Sequence, residues 1–459
     1  MGNILESSFR DPSGFLFRKD SVLYRQINHG YKENYDFAIN SGLYDELIEL
    51  KLLVPHEEVF VDCFDRDGYA VIKPFELPVV SYPYEWSFSQ LKDAALLTLN
   101  IQQKALSKGL SLKDASAYNV QFYNGKPIFI DTLSFEKIRS GQPWIAYKQF
   151  CQHFLAPLAL MAKTDITLNQ LLKTNIDGLP LELTSKLLPF TTRFNFSLAI
   201  HIHLHARSQL KYANKKINTD RSGRTFSINA FYAIIDSLKT AVLKLNWEPT
   251  GTEWHDYYES NNNYSDENLS LKKDIVEKFL SALSIRSAWD LGANTGIFSN
   301  LAAKHCDYVC AWDIDPACVE LNYRSVSHSE TKKIYPLLLD LTNPSSSIGW
   351  NNNERFSFKD RGPVDVTLVL GLIHHLVFSN NLSLEMIAQF LSEITFSLII
   401  EFIPKSDSQV KKLLRNREDI FQTYDIENFE LAFSRYFKNL ENKPIGNTGR
   451  VIFLMQALR

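Results

Sequence analysis

Apolar and polar positions alternate with a period of two over residues 15–27, where Phe-Leu-Phe and Val-Leu-Tyr-Arg-Gln-Ile flank a polar Arg-Lys-Asp-Ser stretch; this predicts a β-hairpin. Between 35 and 50 the period changes, and Phe37, Leu43, Leu47 and Leu50 fall at helical spacing. Residues 59–64 and 69–72 read as two short strands joined by a turn at Asp67-Gly68. A long helix is expected over 88–106, with Leu91, Ala95 and Leu99 on its apolar stripe. Residues 119–122 and 127–130 enclose Asn124-Gly125, the strongest short hairpin signal. Helical patterns at 149–162 and 191–213 complete this first region.

Turn formers and polar residues take over at 246–268, so a domain boundary is placed there. The stretch also holds Trp247, Trp254, Tyr257, Tyr258 and Tyr264, which is unlike a flexible linker. Those aromatics are read either as a strap between domains or as a cover for a bound ligand. Strand patterns then alternate with helices, at 288–291, 308–312, 334–339, 364–370 and 398–403. That alternation predicts a parallel, doubly wound sheet. The resulting division is an accessory α+β domain at 1–245, a connecting strap at 246–270 and an α/β domain at 271–459.

Composition narrows the class. Hydrophobic residues are 45% and charged ones 22% of the 459, as in ordinary globular proteins. Lys plus Arg is 49 against 52 for Asp plus Glu, which argues against a broad grip on nucleic acid or on an anionic membrane. The N-terminus lacks the apolar stretch of a secretory signal, and Glu6 stands where a myristoylation signal needs Ser or Thr. The longest apolar run, 366–378, is too short to span a bilayer. Five sparse cysteines make a disulfide framework unexpected, so a cytoplasmic protein is predicted.

The most informative segment is Ser-Ala-Trp-Asp-Leu-Gly-Ala-Asn-Thr-Gly-Ile-Phe-Ser at 287–299. A buried strand ends at Asp290, a loop carries Gly292 and Gly296, and a helix begins near Thr295. Such a loop lets backbone approach a bulky ligand at the carboxyl end of a strand. The spacing is not the dinucleotide fingerprint, which needs a further glycine. The next strand ends in Trp312-Asp313-Ile314-Asp315, and the third in Leu339-Asp340-Leu341. Carboxylates there are placed to accept from ribose hydroxyls and an adenine amino group.

These motifs together resemble the class I S-adenosylmethionine-dependent methyltransferases over roughly 254–459. The run 364–376, Val-Asp-Val-Thr-Leu-Val-Leu-Gly-Leu-Ile-His-His-Leu, is similar to that family's fourth motif, which leads to the methyl-transfer centre. The resemblance implies a Rossmann-like sheet with S-adenosylmethionine as cofactor. It also implies a cofactor site at Asp290, Gly292, Asn294, Gly296, Asp313, Ile314, Asp340, Leu341 and Leu370. It points to His375, with His374 beside it, as the general base; the other reading makes both packing residues. An unperturbed imidazole suits that task, and adjacent histidines on a helix cannot both face the cleft. Glu401, at the mouth of the next strand, is a second candidate.

In the N-terminal half, Asp114 precedes Asn119 by five residues and Asp131 follows the next hairpin. That order resembles protein-kinase-like and aminoglycoside-phosphotransferase-like domains. The phosphate loop is missing, Arg25 stands where the family has lysine, and Thr-Leu follows Asp131 in place of Phe-Gly. Without these groups much of the electrostatic stabilisation of phosphoryl transfer is gone. His201, His203 and His205 are read as helical residues, and Cys306, Cys310 and Cys318 as packing residues, so no metal is expected.

The expectation is a bacterial methyltransferase whose N-terminal half positions a small-molecule or glycan acceptor and transfers no phosphate. A protein acceptor stays open, and neither nucleic acid nor membrane is expected as partner. Two alternatives stand beside it: a bifunctional kinase and methyltransferase, and a non-catalytic scaffold that binds an adenosyl ligand.

Overall fold

Backbone conformation at a few turns decides how the first region folds. The computed structural model describes residues 3–139, 141–207, 226–250, 252, 265–415 and 419–459. Asp20 and Ser21 take left-handed φ of 52° and 66°, which makes a two-residue hairpin between strands β2 (Gly14–Lys19) and β3 (Val22–Asn28). With β1 (Asn3–Ile4), β4 (His56–Glu58) and β5 (Gly68–Pro74) they form an antiparallel sheet in the order β1-β2-β3-β5-β4. The helix expected over 35–50 is two helices, Lys32–Asn40 and Leu43–Glu49, because Gly42 at φ 70° breaks the winding.

The strand expected at 59–64 does not form. Pairing with β5 is made by β4 instead, and Gln26 Oε1 accepts from the backbone N–H of Phe64 and Asp65 at 2.7 and 3.2 Å. A side chain thus satisfies the backbone that a neighbouring strand would have held, and Phe60 stands fully exposed.

The long helix forms at Phe88–Ser107, started by Ser87, whose hydroxyl accepts from Gln90 N while its own backbone N–H donates to Gln90 Oε1. Beyond it come β6 (Leu110–Leu112), β7 (Val120–Tyr123), β8 (Lys126–Phe129) and β9 (Phe135–Lys137), paired β6 with β9 and β7 with β8. Asn124 and Gly125, at φ 52° and 69°, close the second hairpin. Helical residues 147–163 and 190–207 follow, each containing a π-helical turn. The aromatics Trp254, Tyr257, Tyr258 and Tyr264 lie outside the described residues.

The chain divides into two compact units, Met1–Glu248 with Gly349–Arg355, and Pro249–Ile348 with Phe356–Arg459. The second is built on seven strands: β10 (Ser287–Leu291), β11 (Tyr308–Asp313), β12 (Ile334–Leu338), β13 (Val364–Val369), β14 (Thr395–Phe402), β15 (Phe437–Pro444) and β16 (Val451–Ala457). Their order is β12-β11-β10-β13-β14-β16-β15. The first five are parallel, as expected, whereas β16 is antiparallel to β14 and β15. The sheet is therefore mixed, and mostly parallel.

Alternate residues feed its two faces. Ala288, Val309, Ala311, Val366, Leu368 and Ile399 pack in one core with Ile275, Val276, Phe279 and Leu280 of the helix Asp266–Ser281. On the other face Trp289 and Trp312 meet Phe358 at ring distances of 4.5 and 5.4 Å. Among the described residues no helix is long and apolar enough to cross a membrane.

Candidate active site

Strand order reverses between β10 and β13, so the crevice at their carboxyl ends is where such a sheet binds ligands. The Asp290–Gly296 loop lies there. Gly292 is exposed at φ 76°, and a Cβ added to it would reach Leu372, after β13, at 3.5 Å. The backbone N–H groups of Gly292 and Ala293 donate to the Trp312 carbonyl at 2.9 and 3.0 Å, which binds this loop to the end of β11. Gly296, at φ 87°, precedes the short helix Ile297–Ala302; its missing side chain leaves room for Asn322, which an added Cβ would meet at 2.7 Å.

The two carboxylates of this crevice are buried and held. Ser299 donates to Asp290 at 2.6 Å. Asp313 accepts from Asn294 N at 2.7 Å on one oxygen and from Asp315 N at 2.9 Å on the other. Burial pushes both acids up to about 6, although these bonds oppose the rise. A carboxylate has about four lone-pair sites, so Asp313 keeps acceptor capacity after its backbone bonds from Asn294, Ile314 and Asp315. Next to it Ile314 is 58% exposed, an apolar surface facing water at a strand end. Asp340 is half-buried and accepts from Thr342 N and Oγ1 at 2.9 and 2.6 Å; Leu341 is half-buried and Leu370 buried.

Beyond β13 the chain passes Gly371, at φ 73°, and enters a π-helical turn at His375–Ser379. Such turns are rare and cluster at functional sites. The rings of His374 and His375 are 4.1 Å apart, so the adjacent histidines lean on each other instead of diverging. His374 is buried, and neither ring nitrogen has a hydrogen-bond partner. His375 is half-buried, and burial lowers its pKa to about 4.

Glu401, at the end of β14, does not suit a base. Its oxygens accept from Lys272 Nζ at 2.8 Å and from Arg450 Nη1 at 3.2 Å, and Arg450 Nε also donates to Asp407 at 2.8 Å. Lys272 and Arg450 were missed in the sequence. Lys272 had a signal, since it falls three, four and seven residues before Ile275, Val276 and Phe279 on the same helix stripe.

In the first unit Asp114, Asn119 and Asp131 do come together. Arg25 Nη1 lies 2.5 Å from Asp131 Oδ1, Ser134 donates to the other Asp131 oxygen, and Asn119 donates to Ser134 at 3.3 Å. Burial alone would raise Asp131, but the Arg25 charge and the bonds from Ser134 and Leu133 hold it below the ordinary carboxylate value. Burial and the Asp131 charge raise Asp114. His201 pairs with Tyr147 and Ser237 at 2.8 and 2.9 Å, and His203 with Ser185 and Thr192 at 2.7 and 2.9 Å. Both rings are held by hydroxyls, a structural use.

No family model matches the chain. Among solved structures it is similar to the N-methyltransferase NodS from Bradyrhizobium japonicum WM9, with 10% identity over 42% of this chain and 99% of that one, at a TM-score of 0.31. It is also similar to magnesium protoporphyrin IX methyltransferase (ChlM) from Synechocystis PCC 6803, with 14% identity over 44% and 98% of the two chains, at 0.32. Nodulation protein NoeA of Rhizobium meliloti (strain 1021) is 33% identical over 456 residues, 98% of this chain and 95% of that protein. Matched along nearly its whole length, the chain belongs to the family of nodulation protein NoeA.

Proposed function

We propose that this chain is an enzyme, an S-adenosylmethionine-dependent methyltransferase of class EC 2.1.1, acting on a hydroxyl or amine of a small molecule or glycan. The carrying observation is the joint between Asn294 and Asp313, which sets a glycine cradle and a buried acid side by side at the sheet's switch point. The residues fit the cofactor. Gly292 presents backbone without a side chain, Asp313 has acceptor capacity for ribose hydroxyls, exposed Ile314 offers an apolar face to adenine, and Asp340 and Leu341 lie at the end of the next strand. Asp290, Asn294 and Leu370 complete the site, and Gly296, packed against Asn322, serves it by holding the loop in shape.

When bound, S-adenosylmethionine supplies a methyl group on a positively charged sulfonium, which is already a good leaving group. The chain's own task is then mainly to bind and orient. We assign His375 to take the proton that the acceptor's O–H or N–H gives up; burial lowers its pKa to about 4, which keeps it unprotonated at neutral pH but makes it a weak base, so most of the rate must come from orientation. The NoeA relative is named for nodulation, and we propose a bacterial role of that kind here. A small acceptor is supported by the balanced charge, 49 basic against 52 acidic residues, which argues against a broad basic grip on nucleic acid.

Calorimetric titration tests this directly. S-adenosylmethionine should bind at pH 7.5, and the absence of binding at millimolar ligand removes the reading. Because Asp313 stands at about 6, it takes up its proton as pH falls through that value and loses acceptor capacity. Affinity should therefore fall on acidification below 6, approaching about tenfold per pH unit if the ionised form alone binds. Asp313→Ala should weaken binding by about 1–3 kcal/mol and flatten that dependence.

We propose further that the first unit selects the acceptor and transfers no phosphate. Support comes from Asp131, whose oxygens are engaged by Arg25 and Ser134 and are not presented to a metal ion. The full chain with magnesium and ATP should show no hydrolysis above background. Hydrolysis that disappears in Asp131→Ala would instead establish the bifunctional reading.

A further inference from the structure

Between Leu181 and Arg207 the first unit keeps apolar side chains both inside and outside. The helix Leu181–Leu187, the turn Phe190–Phe194, the short helix Phe196–Leu198 and the π-helical turn Ala199–Leu204 pack on one another. Leu181, Leu188, Leu198 and Ile202 are buried. His203 ties the pieces together, its Nδ1 2.7 Å from Ser185 Oγ and its Nε2 2.9 Å from Thr192 Oγ1. Outside, Phe190, Phe194 and Phe196 are 65%, 79% and 76% exposed, and Leu183, Leu187 and Leu204 are exposed with them. The rings of Phe190 and Phe194 meet edge to face at 5.6 Å. Single exposed apolar residues are ordinary. Three phenylalanines and three leucines, presented by elements that a buried histidine clamps, mark an interaction surface.

The charge on this stretch has one sign. From 182 to 207 Lys186, Arg193 and Arg207 stand against Glu182 alone, which pairs with Lys186 at 2.6 Å. Arg193 lies over the Phe190 ring at 5.0 Å, and Arg207 is exposed. In sequence the bias continues over 208–224, with Lys211, Lys215, Lys216, Arg221 and Arg224 against Asp220. The net charge of the whole chain, −3, hides this local concentration. We propose that the outer face of residues 183–207 docks on an anionic lipid surface, its phenylalanines entering the bilayer interface while Arg193 and Arg207 meet the head groups. The proposal departs from the expectation, drawn from total charge, that no membrane is a partner. It does not rest on the methyltransferase reading.

Other occupants fit less well. A symmetric contact between two copies would set this basic face against itself. Single-stranded nucleic acid is held by stacking bases on aromatic faces, but Arg193 already covers one face of Phe190, and leucines cannot stack. Exposed phenylalanine and leucine with arginine beside them are what a bilayer interface takes up.

Co-sedimentation of the full chain with vesicles tests this. In about 0.1 M salt the chain should bind phosphatidylcholine vesicles that contain about 30% phosphatidylserine, and bind pure phosphatidylcholine at least about tenfold more weakly. The double variant Phe194→Ser with Phe196→Ser should lose at least about tenfold in partitioning. Arg193→Gln should lose about fivefold, and less at high salt. These side chains are exposed, and thermal unfolding should show both variants as stable as the parent. In Phe194→Trp, vesicles with brominated acyl chains should quench emission that the same vesicles leave unquenched in the parent. No binding of the parent to the anionic vesicles overturns the proposal without any variant, as does equal binding to uncharged ones. Unchanged binding by the folded serine variant overturns it too. A dimer in size-exclusion chromatography that the serine variant alone abolishes would make the face an interface between copies. Binding of single-stranded RNA that displaces the vesicles and survives the serine substitutions would make it a nucleic-acid surface; either result replaces the proposal.

Discussion

Glu401→Leu should lower the stability of the second unit by about 3–5 kcal/mol, the loss that follows when one partner of a buried ion pair is removed. Glu401 has no exposed surface, and its two oxygens answer Lys272 and Arg450, each only 3% exposed. Without it, Lys272 loses the carboxylate that Nζ meets at 2.8 Å, while Arg450 retains its bond to Asp407. The double variant Glu401→Leu with Lys272→Leu removes both charges of that buried pair and should recover part of the loss. Urea unfolding of the full chain measures this, following the buried Trp289 and Trp312 of the second unit. A loss under about 1 kcal/mol would place the pair in the range of exposed ion pairs and refute its burial in solution.

How far the sequence could be read depended on whether a feature was local. The two hairpins were legible because Asp20-Ser21 and Asn124-Gly125 carry their own turn conformation. The crevice was legible too, since Asp290, Gly292, Gly296 and Asp313 sit at strand ends that alternate with helices. Residues 59–64 misled because what holds their backbone is Gln26, which is far away in sequence. The antiparallel pairing of β15 and β16 was missed for a related reason: parallel and antiparallel strands share a period of two, and only pairing tells them apart. Lys272, Glu401, Asp407 and Arg450 span most of the second unit, so no window of sequence could join them. The Arg25–Asp131 pair shows the reverse. Arg25 was visible as a departure from the kinase-like pattern, and its partner is the acid that pattern singles out.

The two glycines of the Asp290–Gly296 loop should fail in different ways when substituted, and that difference separates the site from its scaffold. Both have left-handed φ, 76° at Gly292 and 87° at Gly296, but their surroundings are opposite. Gly292 is exposed, and a Cβ there stands at ordinary contact distance, 3.5 Å, from Leu372. Aspartate is among the residues that tolerate this conformation, so Gly292→Asp should fold with a loss of at most about 1 kcal/mol. Its side chain and charge would occupy the approach of the cofactor to the loop, and binding of S-adenosylmethionine should fall by more than about a hundredfold, or ~2.7 kcal/mol. Gly296 is buried, and its Cβ would fall 2.7 Å from both polar ends of the Asn322 side chain, itself 1% exposed. Gly296→Ala should therefore lose about 1–3 kcal/mol of stability through overpacking and backbone strain, and whatever remains folded should bind more nearly as the parent does. Calorimetric titration and thermal unfolding of both variants give the four numbers needed. If Gly292→Asp folds and binds S-adenosylmethionine as tightly as the parent, the cofactor does not sit on this loop, and the methyltransferase site must be sought elsewhere in the chain.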